Sequence, residues 1–190
     1  MPGEIELFSM ATDGSLEPKA EWTGQARRYF SAALRADPRT SALSCSELPK
    51  GDAGSLSEIL ALHEAVARSI AEYQFGSVTL ATKDGKLDWS LGDSVAPIRK
   101  LSGADYALFY GLRDSYATAG RKVLATAVTV LIGFDVVGAG RQTGYASLVD
   151  LKTGRVVWFN RLDRSKGDLR EPQAAAETLS ALLEEFPSVQ

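Results

Sequence analysis

Apolar residues recur along the chain with two spacings, and each spacing predicts one kind of element. Alternation of apolar and polar positions over residues 4–10 predicts a strand with one buried face. The stripes with helical spacing are longer and predict amphipathic helices. These helices are predicted over residues 19–36, 56–73, 121–134 and 172–186.

Shorter segments between these elements have weaker patterns. Residues 40–45 are compatible with a short strand, and residues 97–102 predict a helical turn. Ser55 and Glu58 have the spacing of a capping box, in which each side chain accepts a hydrogen bond from the other residue's backbone amide. We therefore expect the second long helix to begin at this pair.

A first hairpin is predicted from residues 77–82 and 86–91, which flank an Asp-Gly turn at residues 83–85. Calcium is an alternative ligand for this region, since several carboxylates surround the turn. These are Asp84, Asp88 and Asp93. Their spacing is not that of an EF-hand loop, so the turn is the favoured interpretation.

A second hairpin is predicted over residues 145–163, after a nearly unbroken apolar run at 104–112 that is typical of a strand buried on both faces. Its turn contains Asp150, Thr153 and Gly154. We expect Asp150 to accept hydrogen bonds from the turn amides or the Thr153 hydroxyl, and Gly154 to adopt a positive φ.

Both faces of the return strand are predicted to be mostly apolar. Strict alternation places Val156 and Trp158 on one face, and Val157 and Phe159 on the other. Apolar residues on both faces predict that this strand, too, is a central element of the sheet.

The order of strand, two helices, hairpin, strand, helix, hairpin and helix predicts an α/β (α+β) sandwich. We expect a mixed β-sheet of about five to seven strands with helices packed on it. The 190 residues suit a single α/β domain, residues 1–190. The chain starts almost inside its first strand, so residues 1–15 are interpreted as a truncated first strand and turn of a longer precursor.

Charge and hydropathy exclude some function classes. A net charge of −3 without a concentrated basic face predicts no nucleic-acid partner. The longest apolar stretch, residues 123–139, has 17 residues and contains Asp135. It is shorter than the roughly 20 residues that span a bilayer, and it predicts a buried or half-buried helix.

No recognisable catalytic constellation is present, so we predict no catalytic residue, cofactor or metal site. His63 is the single histidine and lies on the apolar stripe of its helix, which predicts a packed, hydrogen-bonded core histidine. Cys45, the single cysteine, can form no internal disulfide and is not placed beside a base by any local motif. The glycines at 138, 140 and 144 follow a helix and precede a strand, the reverse of a dinucleotide-binding loop.

Five segments are parts of one pattern: Glu-Pro-Lys-Ala-Glu-Trp-Thr at 17–23, Trp-Ser-Leu-Gly at 89–92, Gly-Ala-Asp-Tyr-Ala-Leu-Phe at 103–109, Arg-Asp-Ser-Tyr at 113–116, and Ala-Ser-Leu-Val-Asp-Leu-Lys-Thr-Gly-Arg-Val-Val-Trp-Phe at 146–159. Together they resemble a group of uncharacterised proteobacterial envelope lipoproteins. The Ala-Asp-Tyr strand and the Asp-x-x-Thr-Gly-x-x-x-Trp strand pair are more distantly similar to curli-secretion lipoproteins, penicillin-binding-protein activator lipoproteins and the N-terminal domain of the TolB protein.

This resemblance implies a small α/β sandwich that contacts other envelope proteins at the periplasmic face of the outer membrane. It also implies a lipid anchor, whose cysteine would lie upstream of this chain. The cytoplasm is the alternative location, since a single cysteine is compatible with it.

The first functional hypothesis is therefore a non-enzymatic, protein-binding or scaffolding module of the cell envelope. Its partner-binding surface is predicted at charged and aromatic residues that follow the apolar run. These are Arg113, Asp114, Tyr116 and Arg121.

Two alternatives remain open. The first is a homo-oligomeric pore or assembly component that uses the apolar insert 123–137, since exposed apolar surface often marks a partner or membrane site. The second is an enzyme with a site near the strand ends, where sites on α/β sheets usually lie. Its candidate residues are the same four residues together with Asn160.

Overall fold

Five strands form one mixed sheet in the computed structural model, which describes residues 4–41, 53–132 and 140–187. The strands are β1 (Glu4–Met10), β2 (Leu16–Pro18), β3 (Tyr106–Ala117), β4 (Gly140–Asp150) and β5 (Val156–Arg164). They lie in the order β2-β1-β3-β4-β5. Strands β1 and β3 are parallel, and the other neighbours are antiparallel.

Helices cover both faces of this sheet. Within the described ranges they are α1 (Ala20–Ala36), α2 (Pro38–Ser41), α3 (Ala53–Tyr73), α4 (Ala96–Ser102), α5 (Ala119–Ile132) and α6 (Pro172–Leu182). Helices α1 and α6 pack on the first face, and α3 and α4 pack on the second. The arrangement confirms the predicted α/β sandwich, in its three-layer form.

The first face buries the apolar stripes that the sequence predicts for α1 and α6. Phe30 of α1 and Leu179 of α6 meet Leu7 of β1 and Leu112 of β3 in one continuous core. The even-numbered residues of β3 and β4 point to this face, as the two-residue period of a strand requires.

The second face buries odd-numbered residues of the same strands against α3. His63 lies in this core with 3% of its surface exposed. Its ring stacks on Phe109 at 4.1 Å between centroids, and its Nε2 lies 2.6 Å from the Ser147 hydroxyl oxygen. The structure therefore confirms a packed, hydrogen-bonded histidine.

The second predicted hairpin is present, but a β-bulge changes the facing of its return strand. Leu148 pairs with Trp158 and Val149 pairs with Val156, so Val157 has no partner of its own. As a result Val156 and Phe159 both point to the second face, whereas Trp158 points to the first. The strict alternation predicted for residues 156–159 is wrong for this reason.

The first predicted hairpin forms its turn but not its strands. Asp84 and Gly85 both have positive φ, at +48° and +68°, as the favoured hairpin turn requires. The flanking residues pair with the sheet only at one isolated β-bridge, between Ser90 and Arg155. Val78 remains 54% exposed, and a two-stranded hairpin with so little buried surface is not stable by itself. The strands predicted at 77–82 and 86–91 are therefore wrong.

Other boundaries also differ from the prediction. Thr40 and Ser41 belong to α2, so the short strand predicted at 40–45 is wrong there, and residues 42–45 lie outside the described residues. Helix α3 begins at Ala53, which places Ser55 inside the first turn rather than at the cap. The sequence does not predict β2, because its three residues are all exposed and show no alternation.

The burial of His63 predicts a pH-dependent stability. Desolvation lowers the pKa of His63 from 6.5 to about 4, so the unfolded chain binds a proton more readily than the folded chain between these values. We expect the contribution of this residue to the free energy of unfolding to be complete above pH 6.5. It should fall by up to about 3 kcal/mol as the pH drops towards 4. Urea denaturation at several pH values measures this loss.

The matched control removes both partners of the buried hydrogen bond, in the double variant His63→Leu/Ser147→Ala. Replacing both groups avoids leaving one of them buried without a partner. The stability of this variant should vary less with pH between 6.5 and 4 than that of the natural chain. Identical pH profiles would show that the histidine does not carry the dependence.

Candidate functional site

A groove runs along the second sheet face beside α3, where the described helices leave the strands exposed to solvent. We call it the strand groove, and its volume is about 470 Å³. Helix α3 forms one wall, and side chains from β1, β3, β4 and β5 form the floor. Its charged lining residues are Glu4, Glu6, Glu64, Arg68, Arg113, Arg141, Arg161 and Asp163.

Ion pairs connect four of these eight charges across neighbouring strands. The Arg113 Nε donates to the Glu6 carboxylate at 2.9 Å, and this pair sits directly opposite in the β1–β3 register. Arg141 donates two hydrogen bonds to Asp163, at 2.8 and 2.6 Å. These bonds hold the pKa of Asp163 below its ordinary value. Exposed pairs of this kind add only about 0–1 kcal/mol each to stability, so their side chains can exchange partners at low cost.

An aromatic residue forms the apolar part of the floor. Tyr145 lies opposite Gly111 in the β3–β4 register, and its ring crosses the place where a side chain at 111 would sit. A Cβ atom built on Gly111 would lie 2.9 Å from the Tyr145 Cζ. Burial raises the pKa of Tyr145 to about 12, so its phenol stays neutral and can donate a hydrogen bond at physiological pH. The sequence prediction missed Tyr145, although a glycine inside a strand is a signal of such close approach.

The four residues predicted as a partner surface are divided between different places. Strand β3 extends to Ala117, well beyond the predicted end at 112, so residues 113–116 alternate between the two faces. Arg113 points into the strand groove, whereas Asp114 and Tyr116 point to the first face. Asp114 is 2% exposed, so its carboxylate is not part of an accessible surface.

Asp114 instead accepts hydrogen bonds inside the protein. Its donors are the Tyr116 hydroxyl, the Gln142 side-chain amide at 2.7 Å and the Leu169 backbone N–H at 3.3 Å. Desolvation raises the pKa of Asp114 in spite of these donors. The network attaches the loop between β5 and α6 to the middle of the sheet.

A cation–π contact also attaches the loop between β5 and α6 to β3. The Arg170 guanidinium lies 3.8 Å from the centroid of the Tyr116 ring, and it donates to Asp168 at 2.6 Å. Tyr116 therefore contacts both Asp114, through its hydroxyl, and Arg170, through the face of its ring. In this setting its hydroxyl already donates to Asp114 and accepts from the Leu169 N–H.

A second cavity, the end crevice, lies at the edge of the sheet where β1 ends and β4 begins. Its volume is about 410 Å³, and its lining residues are Met10, Arg121, Gly140, Arg141, Asp163, Arg164 and Ser165. Arg121 reaches it from the first turn of α5, where its Nη1 donates to the Ala11 carbonyl at 3.3 Å. Of the four predicted residues, Arg113 and Arg121 thus line cavities, but different ones.

Asn160 has a structural environment rather than a place in either cavity. Its side-chain amide donates to the carbonyls of Ala181 and Leu182 at the end of α6, at 3.0 and 3.1 Å. Its carbonyl oxygen accepts from the Arg161 backbone N–H at 2.8 Å. The five residues considered for an enzyme site are therefore not brought together.

The turn of the second hairpin has the predicted geometry. The Asp150 carboxylate accepts from the Lys152 N–H at 2.7 Å and from the Thr153 hydroxyl at 2.9 Å. Gly154 has a φ of +71°. These bonds lower the pKa of Asp150 and fix the turn, and they involve no residue of either cavity.

Comparison with protein-family models, curated proteins and solved structures found no match. Within the described ranges, no cluster of three or more histidine, cysteine, aspartate or glutamate residues could hold a metal ion. Cys45 lies outside those ranges.

Neighbouring substitutions in β3 separate structural from surface roles. We expect Asp114→Ala to lower the free energy of unfolding by about 3 kcal/mol, because three donors lose a buried acceptor. Arg113→Ala, one position earlier, should change it by less than about 1 kcal/mol, since its side chain is 70% exposed. Urea denaturation of both variants measures the difference, and equal losses would contradict the assignment.

Proposed function

We propose that this chain is a non-enzymatic protein-binding module and that the strand groove is its contact surface. The observation that carries the proposal is the groove itself: an exposed stretch of sheet whose floor holds ion pairs between strands and a tyrosine. Arginine and tyrosine are enriched in protein interfaces and among the few residues that carry most of the binding energy.

The charges of the groove favour a polar protein segment with both signs. Four arginines and four carboxylates line it, so a partner of either uniform charge would meet repulsion along part of the surface. A partner carboxylate can replace Glu6 at Arg113, and a partner cation can pair with the released Glu6. Such exchange gives specificity through charge order rather than through buried apolar area.

The location and partners proposed for the module come from the resemblance to envelope lipoproteins. We propose that the full-length protein carries a lipid anchor upstream of this chain and faces the periplasm from the outer membrane. Its partners would then be other envelope proteins.

Site-specific photo-cross-linking tests the proposed surface in the cells that produce the protein. A photo-reactive amino acid placed at Arg113 should give an adduct with a defined partner. The same residue placed at Arg28, on the exposed side of α1, is the control position and should not. Adducts that are identical from both positions, or absent from 113, would contradict the proposal.

The identified partner then allows a direct test with purified proteins. Charge reversal by Arg113→Glu or Arg68→Glu should weaken binding about tenfold or more, because like charges then face each other. The control Arg28→Glu should leave the dissociation constant unchanged. Restored affinity when the partner's facing carboxylate is also reversed would establish the contact, whereas unchanged affinity in all variants would exclude the groove.

Exposed apolar residues on α5 favour self-association as a second candidate function. Val123 is 71% exposed and Leu124 is 39% exposed, and α5 contacts β3, the strand that it follows. Residues 133–137 of the predicted apolar insert lie outside the described ranges. Within the described ranges, no helix is long and apolar enough to cross a membrane. We infer that α5 would join copies of the chain. Sedimentation in detergent solution should then show a concentration-dependent oligomer, and a monomer throughout would contradict this candidate.

A further inference from the structure

The end crevice has the size and position of a small-molecule site. It lies beyond the carboxyl end of β1, next to the carboxyl end of the parallel strand β3. Crevices at this edge of an open α/β sheet are the usual place for ligands. Its volume of about 410 Å³ falls within the range of ligand pockets.

Positive charge dominates the lining of the crevice. Its described lining residues include three arginines from three different elements, namely Arg121 of α5, Arg141 of β4 and Arg164 of β5. Asp163 is the one carboxylate among them, and it accepts two hydrogen bonds from Arg141. The crevice therefore differs in sign from the chain as a whole, whose net charge is −3.

Arg164 is held in place by neutral groups. Its Nε donates to the Gln142 side-chain oxygen at 2.8 Å, and its Nη2 donates to the Thr178 hydroxyl at 2.5 Å. Gln142 is 1% exposed and is itself fixed by its bond to Asp114. Two bonds to neutral acceptors thus orient the guanidinium without neutralising its charge.

We propose that the end crevice binds the phosphate group of a small phosphate ester. Guanidinium groups form charge-assisted hydrogen bonds with phosphate oxygens, and three of them, from three different elements, line the crevice. A tetrahedral phosphate accepts hydrogen bonds from several directions, whereas a planar carboxylate accepts them mainly in one plane. Ser165 also lines the crevice.

Two sources of this chemistry exist, a free phosphate ester and a phospholipid headgroup. Phosphate binding in the end crevice does not depend on protein binding in the strand groove, although Arg141 and Asp163 line both cavities. The variants that test it are therefore taken from Arg121 and Arg164, which line the crevice alone. Arg113 lines the groove alone and supplies the matched control.

Calorimetric titration with glycerol 1-phosphate tests the free ester, and co-sedimentation with phosphatidylethanolamine–phosphatidylglycerol vesicles tests the headgroup. Saturable binding in either arm, with chemical-shift changes at the Gly140 and Ser165 amides for the free ester, supports the proposal and identifies the source. Acetate at equal ionic strength should bind at least about tenfold more weakly than the ester. Absence of binding in both arms, or equal binding of acetate, overturns the proposal.

Substitution then assigns the binding to the crevice. Arg121→Gln and Arg164→Gln should each weaken binding about tenfold, because each removes a charge-assisted contact. Arg113→Gln should leave it unchanged. Thermal denaturation checks that the variants fold. Arg164→Gln loses the bonds to Gln142 and Thr178; if that loss destabilises the protein, Arg121→Gln alone decides the test. Equal loss in the Arg113→Gln control, or none in Arg121→Gln, excludes the crevice.

Discussion

Backbone pairing of β3 on both of its edges is the constraint on which the rest of the structure depends. The strand is bonded to β4 along residues 106–116 and to β1 along residues 111–117. Other parts of the protein cover both faces of a strand in the middle of such a sheet. Successive side chains of the strand therefore enter the first and the second face in turn. Phe109 and Leu112 accordingly enter opposite cores.

The same alternation continues after the apolar residues end, and it places a carboxylate inside the protein. Burial of Asp114 would be costly without hydrogen-bond partners. Tyr116, Gln142 and the Leu169 amide supply them, so the polar network holds the loop before α6 against the sheet. Through Gln142 this network also orients Arg164, and the interior therefore determines the shape and charge of the end crevice.

The sequence predicts those elements whose local pattern and tertiary environment agree. The hairpin at 145–163 was predictable because alternation, turn chemistry and burial all support it. The Asp-Gly turn at 83–85 has equally good local chemistry, but its flanks bury too little surface for strands to form. For the candidate sites, Arg113 and Arg121 were predicted, whereas Arg141 and Arg164 were not. Arg141 and Arg164 bond to residues on other strands and helices, and the spacing of residues along the sequence does not predict such contacts.

Asn160 has a consequence for how copies of this chain can associate. It lies on β5, an outer strand of the sheet, and its side-chain oxygen accepts a hydrogen bond from the Arg161 backbone N–H. The β-bulge at Val157 distorts the same strand. At the opposite edge β2 has three residues and ends in Pro18, which has no N–H to offer. Both margins are thus poor templates for an incoming strand. Pairing of two copies of the chain through these two strand edges is therefore disfavoured.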